Sequence, residues 1–262
     1  MNILFIGGII GRPGRQAVAA LLPNLIDELD LHFVIANGEN AAAGLGITAK
    51  IAQSLFDCGI DCLTSGNHIW AQKEALGYLD REPRLLRPGN YPPGAPGSGV
   101  GVYTTHRGDR VAVLNLLGRV FMDPMDDPFR GADRLLAEVG KVDATIVDFH
   151  AEATSEKAAM GRYLDGRVAA VVGTHTHVPT ADEVVLPGGT AFLTDVGMVG
   201  PAESIIGIEI PISLHRFLTG LPARFQVPSK GPCNFSAVMI ECSSAHGLAK
   251  TIKRIYLHYP PE

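Results

Sequence analysis

The feature that most constrains this chain is a series of short apolar runs, each closed by small or chelating residues. Ile3-Leu4-Phe5-Ile6 ends on Gly7-Gly8, and Phe33-Val34-Ile35-Ala36 on Asn37-Gly38-Glu39-Asn40. Cys62-Leu63-Thr64 leads to Gly66-Asn67-His68, a run over 144–149 closes on Asp148-Phe149-His150, and one over 168–172 on Gly173-Thr174-His175-Thr176-His177. Runs this short are the length of buried strands. Between the first two, Val18, Leu21, Leu22, Leu25, Ile26 and Leu29 recur at helical spacing over 16–29. Further helices are predicted over 48–56 and 151–164, and further strands over 111–117, 190–193 and 235–240. Alternating strand and helix predicts an α/β sheet with helices on its faces.

The 262 residues suffice for a sizeable core. Residues 87–101, rich in Pro and Gly, read as a surface loop, because strand-like sequence continues on both sides; the expectation is a single domain over 1–262. Apolar surface around that loop would suit an interface in a homo-oligomer. A net charge of -5 without a Lys/Arg block argues against duplex nucleic acid as a partner. A small anionic substrate remains open, since a bound metal supplies positive charge locally. No apolar stretch is long enough for a membrane span, and the N-terminal run lacks the basic start of a signal peptide. Four cysteines without CxxC spacing fit free thiols, and a cytoplasmic location is expected.

In open α/β sheets, ligands bind outside the carboxyl ends of the strands. Chelating residues at four of the five run ends would therefore meet in space. Each has a structural alternative. Asn37-Gly38 is a turn signal on its own, and Glu39, Asn40 and Asn67 could be solvated loop residues. His32, His106, His215, His246 and His258 read as structural. The His175-x-His177 pair differs, because on a turn its two side chains can diverge to two metals. Arg119 and Phe121 follow another strand end, where a surface Arg and a core-facing Phe are the simpler reading.

Gly66-Asn67-His68 and the 173–177 block, fitting G-x-H-x-H, resemble the blocks of calcineurin-like metallophosphoesterases. Within them the chain is similar to the YmdB family of bacterial phosphodiesterases, through NGENAAAGLGIT (37–48), DFHAEATSEKAAMG (148–161) and GTHTHVPTAD (173–182). The resemblance implies a four-layer α/β/β/α sandwich and hydrolysis of cyclic nucleotides at two ions of iron or manganese. It implies that Glu39 bridges the ions, that Asn67, His150 and His175 complete one and Asn40 and His177 the other, and that His68 donates a proton. The family carries an Asp after its first strand where this chain has Gly8. That leaves open a natural variant with a weak or empty first site, an engineered inactivation, or a sequence error. It also leaves open a metal- or nucleotide-binding regulatory protein, or a phosphomonoesterase.

Overall fold

A computed structural model describes residues 1–243 and 246–260, so the expected span 1–262 ends outside the described residues. Along β1 (Asn2–Ile6) the side chains alternate between faces, as a strand must. Leu4 and Ile6 enter one buried cluster, Ile3 and Phe5 another. In β3 (Phe33–Asn37), Val34 and Ala36 join the first cluster, and Phe33 and Ile35 the second. Strands buried on both faces read as unbroken apolar runs, which is why both stand out in the sequence.

One sheet runs β2 (Gly8–Ile9), β11 (Met198–Pro201), β12 (Cys233–Cys242), β1, β3, β4 (Cys62–Thr64), with β13 (Ala249–Tyr259) on β12. The other runs β5 (Val100–Thr104), β6 (Arg110–Leu117), β7 (Ala144–His150), β8 (Ala170–Thr174), β10 (Ala191–Leu193), β9 (Val184–Val185). Ile3, Phe5 and Ile35 of the first sheet meet Val113, Ile146 and Val172 of the second, forming the core between them. The first sheet's outer face is covered by α1 (Gly11–Glu28) and α2 (Ala49–Asp57) through Val18, Leu22 and Leu55. α4 (Pro128–Val139) and α5 (Thr154–Tyr163) cover the second through Leu135, Val139 and Met160. The expected helix–sheet–sheet–helix layering is present.

Local chemistry sets the boundaries. α2 starts after Thr48, whose hydroxyl accepts the Ile51 N–H at 3.3 Å. α1 starts earlier than the spacing predicts, because Pro13 sits in its first turn, where no donor is needed. α4, not expected from the sequence, is capped by Asp127, which accepts from the Phe129 and Arg130 amides at 2.9 and 3.1 Å. β5, β11, β13, α3 (Ala75–Leu79) and α6 (Ile210–Thr219) are likewise beyond the sequence expectations. The Pro-rich loop is pinned by Arg87, which donates to the carbonyls of Pro88, Ala95 and Pro96. Residues 87–101 themselves carry no large exposed apolar side chain, while Val102 directly after them is exposed. Prominent ones lie instead at Phe217, Leu218, Leu221 and Phe225. No helix of the described residues is long and apolar enough to cross a membrane.

Ile35 is fully buried between the sheets. Ile35→Ala should lower unfolding free energy by about 2–5 kcal/mol in urea denaturation. Val102→Ala, at a partly exposed site on β5, should cost well under half of that; equal losses would contradict the placement of the core.

Candidate metal centre

β1, β3 and β4 run parallel, as do β6, β7, β8 and β10. Their carboxyl ends therefore deliver the run-end residues to one edge of the sandwich. Glu39, 1% exposed, lies at the middle. Around Nε2 of His150 stand Glu39 Oε1 at 3.1 Å, Asn67 Oδ1 at 3.1 Å and His175 Nδ1 at 3.0 Å. Two donors at right angles about one ion, each at about 2.1 Å, lie about 3.0 Å apart, so these four could share a cation. Gly66 makes the packing possible. A Cβ there would lie 2.3 Å from the His150 ring and 2.5 Å from Glu39 Oε2.

Each imidazole has its outer nitrogen committed. His150 Nδ1 donates to Thr174 Oγ1 at 2.9 Å, and that hydroxyl donates onward to Asp148 Oδ1 at 2.7 Å. Nε2 of His175 is 3.2 Å from Glu152 Oε2, and His177 Nδ1 donates to the Ile206 carbonyl at 2.8 Å. These partners fix which nitrogen of each ring faces inward, and leave a lone pair there on His175 and His177. Outer partners of this type commonly orient metal-binding histidines. Asp148 and Thr174 stand in the run-closing blocks and Glu152 in the 148–161 block, but none of the three was given a role from the sequence.

Burial pushes the Glu39 carboxyl up, but the charges and hydrogen bonds of His150 and His68 outweigh it and bring it down to about 2. Burial alone would depress His150; Glu39 reverses this and raises it. His175 is depressed to about 3, first by burial and then by His150. His177 is lowered mainly by burial. The edge thus holds a carboxylate, one imidazole with a strengthened hold on its proton, and two imidazoles with lone pairs available for a cation.

The other group is less converged. His177 Nε2 is 3.1 Å from Asn40 Nδ2, and Asn40 Oδ1 is 2.8 Å from His68 Nδ1. The amide therefore turns its nitrogen, not its oxygen, toward His177. Holding a cation there requires its two ends to be exchanged. His68 also donates its backbone N–H to Glu39 Oε2 at 3.1 Å. Gly8 is beside this group. A Cβ on it would meet His177 Cδ2 at 3.7 Å and Nε2 at 3.9 Å, ordinary contact distances. His175 and His177 both have positive φ, 111° and 67°. For residues other than glycine such backbone is strained, at about 1–3 kcal/mol each.

A cavity of about 680 Å³ opens over these groups, with Glu39, Asn40, His68, His175 and His177 on one side and Leu45, Ile206 and Phe225 among its apolar walls. Arg119 and Phe121 do not line it. Arg119 is at the surface, 3.1 Å from Asp127. Phe121, expected to face the core, is instead 89% exposed, because its left-handed φ of 62° turns it outward.

A model described as "YmdB-like protein" matches residues 4–255. The chain belongs to the YmdB-like family. Within that family it is 49% identical over 259 residues to a Bacillus subtilis protein named 2',3'-cyclic-nucleotide 2'-phosphodiesterase, covering 98% of this chain and 97% of the relative. A crystal structure of a hypothetical protein from Thermus thermophilus superposes with TM-score 0.93 at 45% identity, covering 99% of this chain and all of that one. A crystal structure described as a novel phosphatase from Mycoplasma pneumoniae gives TM-score 0.90 at 32% identity, covering 100% of this chain and 94% of that one.

His175, a base depressed to about 3 in the fold, takes up its proton in the unfolded chain near 6.5. The unfolded state then binds more protons between those values, so folded stability falls as pH drops through this window. In EDTA, unfolding free energy should fall between pH 7 and 4.5, and His175→Gln should flatten that slope. An unchanged slope in the variant would contradict the assignment.

Proposed function

We propose that the chain is a metal-dependent phosphodiesterase that opens 2',3'-cyclic nucleotides. The observation carrying the metal reading is the set of three imidazoles, each with its inner nitrogen turned inward around a buried carboxylate. The substrate class is supported by the Bacillus subtilis relative's name. Glu39, Asn67, His150 and His175 would hold one ion, and Glu39 with Asn40 and His177 a second. Imidazole and oxygen donors suit iron or manganese. When bound, the ions supply positive charge against the phosphate and acidify a water for attack.

This chain's own residues do the rest. The apolar wall of the cavity excludes water from one side of the substrate and offers surface to a nucleoside. His68 lines the same cavity with its side chain 37% exposed. With the Asn40 amide exchanged to hold a cation, its Nδ2 would donate to His68 Nδ1, leaving Nε2 as the nitrogen that carries the proton for the leaving oxygen. As the water oxygen bonds to phosphorus and its proton passes to solvent, the ring P–O bond breaks and His68 delivers a proton to the departing alkoxide. The four cysteines are all free thiols, which supports a reducing, cytoplasmic setting.

Gly8 favours a second reading, in which the protein holds one ion and acts as a metal- or nucleotide-binding regulator. The carboxylate that the family resemblance implies has room here, because the Cβ direction of residue 8 points at His177 without a clash. Gly8→Asp should therefore raise metal content from about one to two ions per chain. It should raise turnover of 2',3'-cyclic AMP about tenfold or more, on the scale of metal-site perturbations. Metal analysis and initial rates on protein loaded with manganese decide it. Two ions and full activity with Gly8 would show that the existing donors suffice; no ion in either form would overturn the metal reading.

A further inference from the structure

Behind the histidine turn lies a buried ion pair that none of the roles above uses. Lys157 of α5 and Asp195, which follows β10, are each 1% exposed, and Nζ lies 2.7 Å from Oδ2. A pair withdrawn from water recovers its lost hydration only if further hydrogen bonds complete it. Asp195 makes those bonds to the backbone of the candidate centre. Its Oδ2 accepts the Thr176 N–H at 3.0 Å, and its Oδ1 accepts the Gly197 N–H at 2.8 Å. Thr176 separates His175 from His177, the two residues held at positive φ. Gly197 in turn accepts the Gly8 N–H on its carbonyl at 2.9 Å. One carboxylate therefore ties the turn bearing both histidines to the strand residue facing His177.

Little around the pair can give way. A Cβ on Gly173, just before the turn, would lie 1.7 Å from the Thr194 carbonyl oxygen and 2.9 Å from Lys157 Cδ. The turn is clamped between the lysine stem and the Asp195 carboxylate, with no slack to take up if either is lost.

We propose that Asp195, held in place by Lys157, is a positioning residue for the metal centre. By capturing the Thr176 amide it stabilises the strained turn that directs His175 toward His150 and His177 toward Asn40. The inference rests on the metal reading above. A pair that merely filled the interior could be exchanged for apolar residues of similar volume without consequence for metal binding.

The test compares Lys157→Met/Asp195→Asn with Lys157→Met/Asp195→Ala in the full chain. Both remove the buried charges, but only the Asn version keeps an oxygen for the Thr176 amide. Manganese binding is followed by titration calorimetry, with thermal melting as the control. With similar melting of the two variants, the Ala version should bind manganese about tenfold more weakly than the Asn version. Equal affinities would overturn the proposal. Should neither variant fold, amide exchange in the unmodified, metal-free protein decides. Protection of Thr176 and Gly197 to the level of the β7 and β8 amides supports the clamp, and exchange at the rate of an exposed loop overturns it. A parent protein that takes up no manganese would sink the metal reading, and this inference with it, which distinguishes that failure from equal binding by the variants.

Discussion

A fully buried carboxylate stays charged only when positive charge and hydrogen bonds replace the water it has lost. Glu39 obtains both from its surroundings, with the His150 ring 3.1 Å away and the His68 amide at 3.1 Å. Much of the edge follows from that requirement. His150 must be oriented, so Thr174 and Asp148 stand behind it. The backbone at Gly66 must come close, so no side chain is tolerated there. The two parallel strand sets must end at the same edge, which the packing of two sheets face to face achieves. A cation placed among these donors would take over the role that the His150 proton plays without it, which supports the proposed metal centre over a structural salt bridge.

Most of the layering was legible because strands buried on both faces leave unbroken apolar runs. β1, β3 and β7 are of that kind, and the residues closing them do converge. Elements with weaker patterns escaped. β13 alternates between partly buried and exposed side chains and carries two lysines and an arginine. α4 escaped despite a legible pattern, since Ala132, Leu135 and Val139 fall at helical spacing after an Asp-Pro start. The exposure of Phe121 depends on a left-handed backbone, which a sequence pattern does not display.

The donor residues were legible as residue types at strand ends, yet their orientation was not. Three outer hydrogen-bond partners come from distant parts of the chain: Thr174 lies 24 residues from His150, Glu152 stands 23 before His175 (175 − 152), and Ile206 is 29 from His177. Such pairings exist only after folding. The unequal state of the two groups of donors was also hidden. The donors around His150 are drawn together in the folded chain, whereas Asn40 turns its amide nitrogen toward His177 and engages His68 with its oxygen. Gly8, which offers no side-chain donor, lies beside this less converged side, 3.7 Å from His177 Cδ2 by the Cβ it lacks.

The central claim is that Glu39, Asn67, His150 and His175 share a cation. Anomalous diffraction from crystals of the protein loaded with manganese tests it most directly. The account predicts a peak within bonding distance of those four side chains, with any second, weaker peak lying beside His177 and Asn40. A fully loaded crystal with no peak among the four, or with its strongest peak elsewhere in the molecule, would contradict it.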